Sequence, residues 1–222
     1  GKLLCIAHES GYTDVVETAP LRSGKLTATA FRGHSRQVNW ADFGPDGRKL
    51  ISASLDRTVH VFESGGSRRE LLCLKGHLLG VNAAVFTPDG RYIVTASDDC
   101  TVRLWDARVN RSVRTIAHTA SLLQADIDAE GETIAAASRD GAVHIWDAAS
   151  GKKLRVLKGG QVSAYSAAFG PKGKLLVASD YGGFIRVWDS RTGEELWRKA
   201  AHAGGPCVAA ISPDGKRVAT GG

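Results

Sequence analysis

The stretch 95-TASDDCTVRLWD-106 holds a serine, an acidic pair and a tryptophan, and Gly76-His77 stands shortly ahead of it. Serine, histidine and aspartate are the parts of a nucleophile with its base and orienting acid. They are equally the parts of an internal hydrogen-bonded brace. Register along the chain decides between the two.

Three markers recur in a fixed order. The first is a dipeptide: Gly33-His34, Gly76-His77, Ala117-His118, Gly159-Gly160 and Ala201-His202, spaced from His34 onward by 43, 41, 42 and 42 residues. The second is a turn, 44-GPDG-47, 87-TPDG-90, 128-DAEG-131, 170-GPKG-173 and 212-SPDG-215, whose final glycines are spaced by 43, 41, 42 and 42. The third is a strand end: 59-VHVFE-63, 102-VRLWD-106, 143-VHIWD-147 and 185-IRVWD-189. Three independent markers holding one period identify a repeat.

Each unit reads as four short strands. VNAAVF (81–86) precedes a Pro-Asp-Gly turn, in which proline presets φ and glycine supplies the left-handed corner. RYIVTAS follows, and Asp98-Asp99-Cys100 connects it tightly to TVRLW, where Val102 and Leu104 alternate with Thr101 and Arg103. SVRTIAH supplies the fourth strand. Helical periodicity and helix caps are missing, so the chain is all-β. A lone sheet of this size cannot bury both faces, and units must stack. Short four-stranded sheets at this period suit a β-propeller. The expected organisation is one propeller domain or segment over 1–222. It has partial units at 1–32 and 201–222 and blade-length repeats at 33–75, 76–116, 117–158 and 159–200.

The Gly-His dipeptides, the Ser-x-Asp at 54–56, 97–99 and 138–140, and the Trp-Asp pairs at 105–106, 146–147 and 188–189 resemble the WD-repeat family over essentially all of residues 20–222. That resemblance implies a propeller, often of seven blades, used as a binding platform and not as an enzyme. It also implies that the histidine after the fourth strand bonds the aspartate of the tight turn, with strand-two serine and strand-three tryptophan extending the chain of hydrogen bonds.

Phase answers the opening question. His34, Ser54 and Asp56 stand in one unit, His77, Ser97, Asp99 and Trp105 in the next, and His118, Ser138, Asp140 and Trp146 in a third. One substrate needs one oriented nucleophile, whereas a device copied into every unit serves the unit. A buried aspartate needs donors, which imidazole and backbone N–H supply, and a buried indole needs an acceptor. The fourth unit has Gly160 in place of histidine, and Gly182 at the position six before Trp188 where the aspartate belongs. Histidine and aspartate are thus expected to be lost together, unless Asp180 shifts into the role. The first unit carries Phe62 for tryptophan and should have a shorter network.

KLLCIA at 2–7 resembles second strands such as KRVATG at 216–221, and VVET and KLTATA read as divergent third and fourth strands. The C-terminal piece supplies a first strand, CVAAI at 207–211, and a second. It stops before any tight-turn aspartate, so His202 is expected to lack a partner. Either the chain is a segment of a longer propeller, or its terminal strands join to close a ring of five. The doubled second strand, the absence of methionine and the unpartnered His202 favour the segment.

Hydrophobic content of 43% and charged content of 23% are ordinary for a soluble protein, and no apolar run is long enough for a membrane helix. Four scattered cysteines without C-x-x-C spacing argue against a disulfide framework or zinc site and suit a reducing, cytoplasmic setting, with the nucleus as another possibility. The net charge of +6 is spread along the chain and reads as a mildly basic solvated surface, with nucleic acid or anionic lipid as the alternative partner. Asp126 and Asp128 share one strand face, but both occupy framework registers, and the histidines show no ligand spacing, so no metal or other cofactor is expected. Glycine-rich spots lack a following helix and lysine, and no phosphate loop or small-molecule substrate is implied.

The expected partners are proteins or peptides bound on one propeller face. The family resemblance points to the fourth-to-first and second-to-third connections near the channel. Leu55, Asp98, Arg139 and Tyr181 stand just before each tight-turn position, or nearest to it, and Arg36 and Leu79 follow the dipeptide. These residues differ from unit to unit on a repeated frame, as a partner-specific surface would. Unconstrained surface would vary in the same way.

Overall fold

The computed structural model describes residues 3–17, 28–65 and 67–221. Thr18, Lys25, Leu26 and Thr27, which belong to the proposed N-terminal strands, lie outside them. Four antiparallel four-stranded sheets follow one another. The first is β4 (Val38–Phe43), β5 (Lys49–Ser54), β6 (Thr58–Glu63) and β7 (Glu70–Lys75); the second is β8 (Val81–Phe86), β9 (Tyr92–Ser97), β10 (Thr101–Asp106) and β11 (Ser112–Ala117). The third is β12 (Leu122–Ile127), β13 (Thr133–Ser138), β14 (Ala142–Asp147) and β15 (Lys153–Lys158); the fourth is β16 (Ala164–Phe169), β17 (Leu175–Asp180), β18 (Phe184–Asp189) and β19 (Glu195–Ala200). Ahead of them lies a three-stranded sheet of β1 (Leu3–Ala7), β2 (Tyr12–Glu17) and β3 (Ala28–Arg32). After them comes a pair, β20 (Val208–Ile211) and β21 (Val218–Gly221). The helical content among the described residues is a single 3₁₀ turn at Pro171–Gly173.

Each sheet is a meander, its consecutive strands hydrogen-bonded to one another. Gly90 closes the Pro-Asp-Gly turn at φ +67°, a conformation costly for any residue with a Cβ, while Asp89 Oδ1 accepts the Arg91 N–H at 3.0 Å.

The sheets pack face to face in sequence order, β1 against β4, β4 against β8, β8 against β12, β12 against β16 and β16 against β20. The inner strands thus form an arc around a common channel. Neighbouring sheets share their cores. Ile51, Val59 and Val61 meet Val81, Ile93 and Trp105, while Val94 and Val102 meet Leu122, Ile134 and Trp146. Each such aliphatic side chain contributes roughly 1.5–3 kcal/mol through burial. The two terminal sheets are separate, with no hydrogen-bonded strand shared between them. The ring of five considered from the sequence is therefore not formed among the described residues.

An extra residue interrupts the pairing of the inner strand with its neighbour in each four-stranded sheet: Asn39, Asn82, Leu123 and Tyr165 each sit at the register shift. Such a bulge bends the strand and re-aims one side chain. Two of these side chains stitch sheet to sheet. Asn39 Nδ2 donates to Val81 O at 3.1 Å, and Asn82 Nδ2 donates to Leu122 O at 3.0 Å.

Candidate functional site

The second sheet shows the repeated device most fully. Asp99 Oδ2 lies 2.8 Å from His77 Nδ1, and Thr95 Oγ1 lies 2.6 Å from His77 Nε2. Trp105 Nε1–H donates to the same threonine hydroxyl at 3.0 Å. Asp99 also accepts the Leu78 N–H at 2.9 Å, the Thr101 N–H at 3.0 Å and the Thr101 hydroxyl at 2.6 Å. Burial drives His77 below its ordinary 6.5, against the pull of Asp99. Burial alone would raise Asp99, but the donors from Thr101, Leu78 and His77 outweigh it and bring the carboxyl down to about 2. At neutral pH the pair is therefore a neutral imidazole donating to a carboxylate. The side chains of His77 and Asp99 are buried, at 1% and 3% exposed.

The first sheet repeats the arrangement, with His34 Nδ1 3.0 Å from Asp56 Oδ2 and His34 Nε2 2.9 Å from Ser52 Oγ. In the third sheet His118 Nε2 lies 3.1 Å from Asp140 Oδ2 and 3.2 Å from Ser138 Oγ.

In two of the three sheets the serine singled out from the sequence joins the network through the aspartate backbone. The hydroxyl that meets the histidine is Ser52 or Thr95, two residues before the serine singled out from the sequence. Ser54 and Ser97 instead accept the aspartate N–H, at 3.0 and 3.1 Å, and donate to the carbonyls of Arg36 and Gly80. They shape the turn. Ser138 also accepts the Asp140 N–H, at 3.2 Å, and meets the histidine besides, because Ala136 stands where Thr95 does. Ser52 and Thr95 share one register, which is the signal the sequence offered.

The fourth sheet replaces the device and does not lose it. Asp180 stands at the register of Ser97, opposite the first residue of the inner strand. Its Oδ1 accepts the N–H of Gly182 at 2.9 Å and of Phe184 at 3.1 Å, while Arg186 Nη1 donates to Oδ2 at 2.6 Å. One carboxylate performs the work of Ser97 and Asp99, and a guanidinium from β18 stands in for imidazole. His202 is not alone either. Its Nε2 lies 3.1 Å from Thr220 Oγ1, at the register of Thr95. The histidines also gather, contrary to the sequence reading: the His34 and His60 rings are 4.2 Å apart, and those of His118 and His144 are 4.1 Å apart.

A second locality lies at the channel mouth. The N–H groups of Leu55, Asp98, Arg139 and Tyr181 donate to the carbonyls of Gln37, Gly80, Ser121 and Ser163 at 3.0, 3.0, 3.0 and 3.1 Å. One bond, used four times, sets each of these residues beside the entry to its inner strand. Together they line a cavity of about 400 Å³ with the bulged Asn39, Asn82, Leu123 and Tyr165, and with Trp40 and Gln124. Tyr165 and Tyr181 meet edge to face at 5.3 Å. Asp98 Oδ1 accepts Asn82 Nδ2–H at 2.9 Å, and the buried Trp40 Nε1 has no partner. Arg36 and Leu79 lie outside this lining; both are exposed, and Arg36 Nη1 donates to Leu55 O at 3.3 Å. Tyr165 and the asparagines went unrecognised, because an alternating strand pattern places them on a sheet face and the bulge re-aims them to the channel; Trp40, paired with Ala53 just after a bulge, went unrecognised as well.

Asp126 and Asp128 do not converge. Asp126 Oδ2 accepts the Phe169 N–H of the next sheet at 2.8 Å, and Asp128 Oδ1 accepts the Glu132 N–H at 2.8 Å. Burial pushes the Asp126 carboxyl up to about 6. Cys5, Cys73, Cys100 and Cys207 are all free thiols. No helix among the described residues is long and apolar enough to cross a membrane.

No curated protein compared with the chain matches it. A family model described as "WD domain, G-beta repeat" matches residues 24–63, 68–106, 110–147 and 151–189. Each matched unit ends on the residue after Phe62, Trp105, Trp146 or Trp188. The second, third and fourth units each begin in or just ahead of the outer strand of the preceding sheet, so one repeat straddles two sheets and ties them covalently. On those four matches, covering more than half its length, the chain belongs to the WD-domain, G-beta repeat family.

Proposed function

We propose that the chain is a non-catalytic scaffold that binds an extended segment of another protein at the channel mouth. WD-repeat domains are a protein-interaction kind of domain. The observation that carries the reading here is convergence: Leu55, Asp98, Arg139 and Tyr181, four different side chains on one repeated backbone position, line a single cavity. Aromatic surface from Trp40, Tyr165 and Tyr181 beside one acid and one guanidinium suits a peptide with an apolar anchor and mixed polar flanks. A groove carrying both Asp98 and Arg139 lacks the uniform positive charge that a nucleic-acid backbone requires.

Peptides selected from a random library against the whole chain provide the test. Binding should weaken about tenfold or more, roughly 1.4 kcal/mol, in Tyr181→Ala and Leu55→Asp and remain unchanged in Lys172→Glu at the opposite turn. Selected peptides indifferent to both mouth variants would remove the proposal. Steeply salt-dependent binding of RNA or DNA, insensitive to those variants, would move the function to the basic surface.

A further inference from the structure

The third sheet departs from its neighbours at two positions, and the departures meet at one point. Ala142 replaces the threonine found at Thr58 and Thr101, and His144 takes the place that Arg103 and Arg186 hold in the adjoining sheets. In the second sheet the threonine hydroxyl saturates Asp99 Oδ1, and both nitrogens of His77 are engaged, by Asp99 and by Thr95. In the third sheet no threonine hydroxyl comes between, and the hydroxyl nearest His118 Nε2 is that of Ser138, at 3.2 Å. His118 Nε2 at 3.1 Å and His144 Nε2 at 2.8 Å both face one oxygen, Asp140 Oδ2.

We propose that His118 Nε2, His144 Nε2 and Asp140 Oδ2 form a binding site for one divalent transition-metal ion of the zinc class, with water completing the coordination. All three ligand atoms lie within 4.8 Å of one another. Zinc held at about 2.0–2.1 Å by nitrogen and oxygen sets its ligand atoms roughly 3.3 Å apart, so the two nitrogen-to-carboxylate spacings, 3.1 and 2.8 Å, need to open by only a few tenths of an ångström. Two imidazoles and a carboxylate are a donor set that zinc, cobalt and nickel share. Access comes from the carboxylate side: the Asp140 side chain is 33% exposed while those of His118 and His144 are 3% and 5% exposed.

An unpartnered ring nitrogen separates this cluster from the others. His144 Nε2 carries the proton that it directs at Asp140 Oδ2, while its Nδ1 is buried without a hydrogen-bond partner and can take that proton when Nε2 presents its lone pair. Binding displaces the proton that each Nε2 directs at Asp140, either to Nδ1 of the same ring or to solvent. The first-sheet cluster of His34, Asp56 and His60 is closed by contrast. His60 Nδ1 is taken by Glu70 at 3.0 Å, Nε2 faces Thr58 Oγ1 at 3.1 Å, and Thr58 also holds Asp56.

Titration of the whole chain with Co²⁺, followed by visible absorption, decides the matter. The expected result is one equivalent bound with the intense bands of tetrahedral cobalt, displaced by Zn²⁺. Those bands should vanish in His144→Arg, which imports the residue of the neighbouring sheets, and persist in His60→Arg. Absence of such bands in the folded wild-type chain, or their survival in His144→Arg, overturns the proposal. Should His144→Arg fail to fold, the imidazole NMR resonances of the unsubstituted chain give an independent answer. Paramagnetic shifts centred on His118 and His144 support the site, and shifts centred on His34 and His60 refute it.

Discussion

Arg186 Nη1 stands 2.6 Å from the Asp180 carboxylate, and a Cβ added to Gly160 would lie 3.3 Å from Arg186 Nη2 and 3.4 Å from Asp180 Oδ2. Glycine at the dipeptide and arginine on the third strand are therefore one substitution in two parts: the missing side chain makes the space that the guanidinium fills. Both partners are buried, with side chains 9% and 4% exposed. Removing one of them leaves an uncompensated charge. Arg186→Ala should lower the unfolding free energy by about 3–5 kcal/mol in urea titrations, and Gly160→His should also destabilise, because it collides with the arginine already in place.

The second sheet makes the complementary prediction. His77→Ala strands Asp99 and Thr95 and should cost roughly 1–3 kcal/mol. Thr95→Val, which strands His77 Nε2 and Trp105 Nε1 together, should cost a similar amount. Because the two act on one network, the double variant should be less destabilised than the sum of the singles, by about 0.5 kcal/mol or more in a double-mutant cycle. Strict additivity, or a melting temperature for His77→Ala equal to the parent's, would contradict the brace.

Acid should weaken this brace in a defined window. The Asp99 carboxyl lies lower in the folded chain, at about 2, than its ordinary 3.8. The unfolded state thus takes up the proton first, and the stability Asp99 confers is complete above 3.8 and lost as pH falls towards about 2. His77 acts in the same sense at higher pH, since burial lowers it from 6.5 and acidification below that value favours the unfolded, protonated ring. Asp99→Asn should flatten the acid limb of the unfolding curve.

Asp126 runs the other way. Burial raises its carboxyl from 3.8 to about 6, so the folded state binds the proton more tightly. Its ionisation costs stability, and that cost appears as pH rises through about 6 and is absent below 3.8. Asp126→Asn keeps an oxygen to accept the Phe169 N–H and should raise the melting temperature at neutral pH, with the gain shrinking in acid. A gain independent of pH would mean that Asp126 is not the titrating group.

Gly183 is the glycine least open to change. It sits at φ +78°, and a Cβ there would approach the His202 carbonyl oxygen far inside contact distance. Since that atom is backbone, no side-chain rotation relieves the collision. Gly183→Ala should therefore cost more than the roughly 1–2 kcal/mol of left-handed strain alone, whereas Gly47→Ala, with open space around its φ of +69°, should cost only the strain.

The sequence by itself determined the repeat, the strand order within each sheet and the turn positions. These depend on short-range chemistry: proline and glycine at fixed offsets, alternation in the strands, and a period that places Ser97, Asp99 and Trp105 in one register with Ser138, Asp140 and Trp146. The family resemblance pointed to six residues at one face, of which Leu55, Asp98, Arg139 and Tyr181 line the cavity while Arg36 and Leu79 lie outside it. Tertiary structure decided what each polar group bonds. Counting along the chain left the fourth sheet without a histidine and offered Asp180 only as a shifted aspartate, yet Asp180 and Arg186 meet there, because a long guanidinium on the third strand reaches the space left by Gly160. His118 follows β11 while His144 lies on β14 of the next sheet, and they face one carboxylate only through the packing of those elements; Asn39, Asn82, Leu123 and Tyr165 reach the channel at bulges. A residue's local pattern states which face of a strand it occupies; which atom waits across that face depends on the packing of separate strands and sheets, and no spacing along the chain encodes it.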